Sequence, residues 1–192
     1  MTSKKLSKWA DELEQQACEQ LLRGFPQREK KKSLIQEIAY NLLLENFPQK
    51  GSLHGEGIFI ARHVLVGGLA AAEKLDYSSG KIARQMCIGL LKAICEKERD
   101  FIRSADLITR AAVQAALLVD YDVCRMTEEV VGAVLKVGQS KVFDSEELVK
   151  KVARAAVSVA GSFSTKDSGS LRGLLMALLE GKVCLPEDDP ES

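Results

Sequence analysis

The chain has two histidines, and both lie near one glutamate. Glu56 and His63 are seven residues apart, a spacing that places them on one face of a helix, where they could hold a metal ion or move a proton. His54 is nine residues from His63 and therefore half a turn out of phase. Because the chain has no Glu-x-x-His pair of the diiron type, we expect neither a metal site nor a cofactor.

Arg62 and His63 interrupt a stretch that is otherwise apolar from Ile58 to Ala72. A helix that is apolar on nearly every side is usually buried by its neighbours. Since a buried charge requires a partner, we expect a functional polar contact at Arg62 and His63, with Glu56 as a third candidate. The alternative is that their polar ends reach a groove or bond to the backbone.

Gly67 and Gly68 lie in the same apolar stretch. Glycine inside a helix costs about 0.5–1 kcal/mol relative to alanine, so its presence indicates the close approach of another backbone or of a flat ligand. We favour a close helix crossing, and a ligand slot is the alternative.

Other motifs of catalysis are incomplete or missing. Residues 78–81 are Ser-Ser-Gly-Lys, but the leading glycine and the final Ser or Thr of a phosphate-binding loop are absent, so helix capping is the better interpretation. The chain contains no Gly-x-Ser-x-Gly elbow and no recognisable triad. Five cysteines without a Cys-x-x-Cys pair indicate reduced thiols.

A step of 44 residues carries the sequence Arg-Ala-Ala-Val at 110–113 onto the same sequence at 154–157. Helical solenoids of the HEAT and armadillo type stack helix–turn–helix units of about this length. Amphipathic helices rich in Ala, Val and Leu also match one another by composition alone. True duplication and chance similarity both stay open.

The same step relates two Asp-Tyr pairs. Asp76 and Tyr77 correspond to Asp120 and Tyr121, and each pair falls where one helix turns into the next. Tyrosine offers contact area with a polar tip, so these pairs could line one edge of a stack and bind a partner. The interpretation we favour is that each tyrosine covers a helix end.

Apolar residues recur at helical spacing, and no segment shows sustained alternation with a period of two, so we expect an all-α fold. About eight helices should form antiparallel hairpins, packed as a helical-repeat-like bundle or short solenoid. Residues 1–50 should form an N-terminal hairpin and 51–185 repeated hairpins in the same body, followed by a disordered acidic tail at 186–192. The expected helices cover about 7–23, 27 or 33 to 46, 53–75, 79–97, 104 or 106 to 121, a short one capped by Thr127, 144–163 and 171–181.

Composition narrows the function further. The 192 residues include 27 basic and 27 acidic side chains, and a formal charge of zero lacks the basic excess of a general nucleic-acid binder. The longest apolar run, Val64 to Ala72, is too short to span a bilayer. We therefore expect a cytoplasmic protein with neither nucleic acid nor membrane as partner.

These observations favour a non-catalytic helical module for protein interaction or scaffolding, which binds a protein partner or associates with itself as a homodimer. The alternative is a helical bundle that binds an apolar small molecule or cofactor near Arg62, His63 and Gly67-Gly68.

Overall fold

The computed structural model describes residues 3–27, 31–47, 53–98, 100–139, 145–162 and 173, and within these ranges the chain forms seven α-helices and no strand. The predicted all-α fold is confirmed, while the expected eighth helix at 171–181, apart from residue 173, and the acidic tail lie outside the described residues. The helices are α1 (Ser3–Gly24), α2 (Lys31–Asn46), α3 (Ile58–Lys74), α4 (Ser79–Lys97), α5 (Phe101–Leu118), α6 (Val123–Gly138) and α7 (Ser145–Gly161).

Each helix packs mainly against the helix two places away in the chain. Thus α1, α3, α5 and α7 form one layer, and α2, α4 and α6 form the other. The turns α3–α4 and α5–α6 each join the two layers. This order places α3, α4 and α5 between neighbours on both sides, and their small side chains are correspondingly buried.

The two glycines of α3 allow it to pack closely against one helix of its own layer and one helix of the other layer. A Cβ atom on Gly67 would lie 2.2 Å from the backbone oxygen of Glu14 on α1, and one on Gly68 would lie 1.9 Å from the sulfur of Met86 on α4. The predicted close helix crossing is confirmed. The space beside both glycines is occupied by protein atoms.

The turns α3–α4 and α5–α6 share one backbone geometry. Asp76 and Asp120 have φ angles of 48° and 54°, in the left-handed region. The amide of Tyr77 donates to the carbonyl of Ala72, and the amide of Tyr121 donates in the same way to the carbonyl five residues before it, that of Ala116. Each turn is therefore a Schellman motif, in which the helix end is closed by a residue in the left-handed conformation.

Helices α5 and α6 begin earlier than expected. Helix α5 begins at Phe101 rather than at 104 or 106, because the Asp100 carboxylate accepts from the amide of Arg103 and the Phe101 side chain is buried. Helix α6 begins at Val123, and Thr127 is not its cap. Thr127 is buried inside α6, where its hydroxyl donates to the carbonyl of Val123.

Helix α3, in contrast, begins later than expected, at Ile58, after a π-helical turn at Leu53–Gly57. The segment Gly55–Lys74 is long and apolar enough to cross a membrane, but 67% of its most apolar window is buried inside the protein. The core helix of a soluble protein passes the same test, so this segment is weak evidence for a membrane span.

Candidate functional site

Arg62 and His63 belong to a chain of polar groups that crosses the layer α1–α3–α5. His63 Nδ1 lies 2.6 Å from Oε1 of Glu14 on α1, and His63 Nε2 lies 2.8 Å from Nη2 of Arg62. Arg62 Nη1 lies 3.4 Å from Oε1 of Gln114 on α5. We call these four residues the His63 chain. It links three helices through one buried imidazole.

The hydrogen bonds assign the protonation state of His63. A guanidinium group only donates, so Nε2 of His63 accepts from Arg62, and the ring proton lies on Nδ1, which donates to Glu14. Burial lowers the pKa of His63, and the Arg62 charge lowers it further against the opposing effect of Glu14. Burial also lowers the pKa of Arg62. His63 is therefore a neutral ring at pH 7.

Aromatic rings cover one side of this chain. The ring of Phe59 stacks on Trp9 at a centroid distance of 5.0 Å and lies 4.5 Å from the ring of His63. The guanidinium carbon of Arg62 lies 5.3 Å from the centre of Phe59. Arg62 is thus held between an aromatic face and hydrogen-bond acceptors, which favours one fixed position of its charge.

Neither ring nitrogen of His63 is available to a substrate in this geometry. A general base needs a nitrogen within hydrogen-bond reach of the proton that it removes. The bonds to Glu14 and Arg62 occupy both nitrogens, and the bond to Glu14 joins α3 to α1. The arrangement positions helices, and any chemistry would first require these bonds to break.

Glu56 does not take part in the His63 chain among the described residues, since the carboxylate bonded to His63 is that of Glu14. Glu56 lies in the π-helical turn before α3, and its Oε2 is buried with no hydrogen-bond partner in the described part. Within the same part of the chain, no group of three or more His, Cys, Asp or Glu side chains could hold a metal ion.

At the turn α3–α4, the preceding hairpin covers the tyrosine of the predicted Asp-Tyr pair. The ring of Tyr77 meets the edge of Phe25 at a centroid distance of 4.8 Å. The ammonium of Lys31 lies 4.9 Å from the centre of Phe25 and 5.8 Å from that of Tyr77. Tyr77 is half-buried, whereas the side chain of Asp76 is exposed.

The turn α5–α6 is open by comparison. Leu118 and Val119 are 57% and 39% exposed, and beside them lies a half-open cavity of about 440 Å³. The hydroxyl of Tyr121 is buried and has no hydrogen-bond partner among the described residues, and burial raises the pKa of Tyr121. We call this the α5–α6 cavity; its lining includes Ala116, Leu117 and residues 120–124.

Known proteins offer no guide to this site. The chain matches no family model, no curated protein and no solved structure. Function is therefore argued from the geometry alone.

One buried polar pair was missed by the sequence reasoning. Arg84 Nε on α4 lies 3.1 Å from Oε2 of Glu129 on α6, with both side chains about nine-tenths buried. A Cβ atom on Gly132 would lie 2.1 Å from Nη2 of Arg84, so this glycine makes room for the guanidinium. Little in the sequence indicated this pair, because Arg84 is followed by the polar Gln85 and Glu129 is preceded by a second glutamate, Glu128.

Proposed function

We propose that this protein is a non-catalytic helical interaction module that binds a protein partner at the turn α5–α6. The observation that carries the proposal is the adjacent pair Leu118 and Val119, which are exposed beside a half-open cavity of about 440 Å³. Among the described residues only one other large apolar side chain, Leu6, is exposed. Apolar side chains exposed together next to a concave surface are typical of interaction sites.

We further infer that the 44-residue step reflects a structural repeat. The matching left-handed aspartates, the matching amide bonds of Tyr77 and Tyr121, and the packing of each helix on the one two places away support this inference. Repeats of this kind present turns and helix faces as binding surfaces. A cytoplasmic location also stays a proposal, supported by the four cysteines of the described chain, which are thiols outside any disulfide.

The binding of a small molecule at Arg62, His63 and the two glycines has less support. Protein atoms fill the space beside Gly67 and Gly68, and both nitrogens of His63 are bonded. The interaction module therefore remains our leading proposal.

A photo-reactive amino acid tests the proposal in cells. In one variant of the full chain it replaces the exposed Leu118. In the matched control it replaces Lys74, which is exposed at the equivalent position of the turn α3–α4. We expect a discrete protein adduct from position 118 and none from position 74. The purified partner should then bind the wild-type chain, lose most of its affinity for Leu118→Lys, and keep its affinity for His63→Gln.

Adducts of equal yield from both positions, or unchanged binding to Leu118→Lys, would contradict the proposal. An adduct with twice the mass of the chain would assign the surface to self-association, the homodimer expected from the sequence.

A further inference from the structure

The α5–α6 cavity has an acidic rim. Its described lining contains two carboxylates, Asp120 and Asp122, and no basic side chain. Both aspartates are exposed to solvent. Asp122 Oδ1 accepts from the amides of Cys124 and Arg125, which caps α6 and leaves its second oxygen for another donor. The rim therefore presents negative charge toward whatever enters the cavity.

The nearby cation on α6 is directed elsewhere. Arg125 follows the cavity lining by one residue, but its Nε lies 3.2 Å from the place that a Cβ atom of Gly80 on α4 would take. The Oε1 of Glu129 lies 2.7 Å from the same place. The guanidinium of Arg125 is thus beside a glutamate between α4 and α6. It is not part of the described cavity lining, but its charge acts on Tyr121, since burial raises the pKa of that tyrosine and Arg125 opposes this larger effect by lowering it.

The other residues of the described lining are Ala116, Leu117, Tyr121, Val123 and Cys124. Ala116, Leu117 and Val123 provide aliphatic surface, and Leu118 extends it outward. A long basic side chain matches this combination, because Lys and Arg bury an aliphatic stem while the charged head stays at a polar edge.

We propose that the α5–α6 cavity binds the lysine or arginine side chain of a partner polypeptide, with a neighbouring aliphatic side chain of that polypeptide resting on Leu118 and Val119. This inference rests on the proposed function, since it names the chemistry of the partner segment. Charge complementarity selects a basic segment over an acidic one, and the exposed side chains of Leu118 and Val119 select an aliphatic neighbour over a polar one.

Synthetic peptides test this recognition on the full chain labelled with ¹⁵N. The probe is a heptapeptide with one leucine–arginine pair among glycines and serines. Two counterparts carry leucine–glutamate or serine–arginine, and butylguanidinium represents the cation without a polypeptide. We expect the first peptide to shift amide signals of residues 116–124 and to bind about tenfold more tightly than each of the other three.

Neutral variants at the two matched turns provide the control. Asparagine tolerates the left-handed conformation, so Asp120→Asn and Asp76→Asn both preserve the backbone while removing one charge. Asp120→Asn should weaken binding about threefold, and Asp120→Asn combined with Asp122→Asn about tenfold, as expected for two partly exposed ion pairs. Asp76→Asn should leave the affinity unchanged.

The inference is overturned if the glutamate peptide or butylguanidinium binds as tightly as the arginine peptide. It also fails if Asp76→Asn weakens binding as much as Asp120→Asn, or if cross-linking from position 118 yields only a dimer of this chain. If cross-linking captures a protein partner but the peptides bind with equal affinity, the preference for a basic segment is rejected, while the proposed interaction function is still supported.

Discussion

The hairpins α3–α4 and α5–α6 have the same turn but different surroundings. Both turns place an aspartate in the left-handed region and close the helix through the amide of a tyrosine. Tyr77 is covered by Phe25 and Lys31, whereas Tyr121 lines an open cavity beside exposed Leu118. Local hydrogen bonds therefore set the form of a turn, while the neighbouring hairpin decides whether it remains available to a partner.

The largest effect should come from breaking the buried ion pair between Arg84 on α4 and Glu129 on α6, which joins the two hairpins. Glu129→Ala leaves the charge of Arg84 buried without its carboxylate, and we expect a loss of about 3–5 kcal/mol in the free energy of unfolding. Arg84→Met combined with Glu129→Leu should lose much less, because apolar residues of similar volume often replace a buried ion pair at little cost. Urea denaturation monitored by circular dichroism measures both.

An exposed ion pair supplies the control for that measurement. Lys8 and Glu12 form a pair on the surface of α1 at 3.5 Å, and Glu12→Ala should change the free energy of unfolding by about 0.5 kcal/mol or less. Equal losses for Glu129→Ala and Glu12→Ala would mean that the α4–α6 pair does not hold the hairpins together.

A smaller effect on the free energy of unfolding should come from pH because, of the two hairpins, only α3–α4 contains a buried histidine. Helix α3 carries His63 where α5 carries the apolar Leu107. Burial lowers the pKa of His63 in the folded chain below its value of about 6.5 in the unfolded chain. Between these two pKa values, the unfolded chain binds a proton at His63 that the folded chain does not bind. Stability should therefore fall as the pH drops from about 7 toward the folded pKa, by about 1.4 kcal/mol for each unit of separation between the two pKa values.

The variant His63→Gln removes this proton and keeps a polar side chain. Urea denaturation at several pH values between 5 and 8 should show a smaller dependence on pH in the variant than in the wild type. An identical dependence in both proteins would assign the effect to other groups.

The helices were predictable because their apolar spacing is a local property of the sequence. The crossing at Gly67 was also predictable, since glycine in a helix interior has few other purposes. The partner of His63 was not predictable, because Glu14 lies 49 residues away on another helix. The sequence favoured Glu56 only because it is near His63 in the chain. The predicted cap at Thr127 was wrong because Asp122, five residues earlier, is also a favourable N-cap residue. Local rules alone did not decide between the two.

The openness of the turn α5–α6 depends even less on local sequence. Leu118 corresponds to Lys74 one step earlier, so the sequence alone could place a leucine near a helix end. Its exposure follows from which side chains of the neighbouring hairpin reach it, and that depends on the packing of the layers. The same limit applies to Arg84 and Glu129, whose pairing required the α4–α6 contact to be known.

The smallest effect should test whether the two turns are equivalent. Glycine adopts the left-handed conformation without the steric cost that aspartate bears, so Asp76→Gly and Asp120→Gly should each raise the free energy of unfolding by about 0.5 kcal/mol. The two gains should agree because the φ angles differ by only a few degrees, from 48° to 54°. Thermal unfolding measures them, and unequal gains would mean that the surroundings, rather than the local hydrogen bonds, determine the turn. Only Asp120→Gly should also weaken binding of the leucine–arginine peptide, because it alone removes charge from the cavity rim.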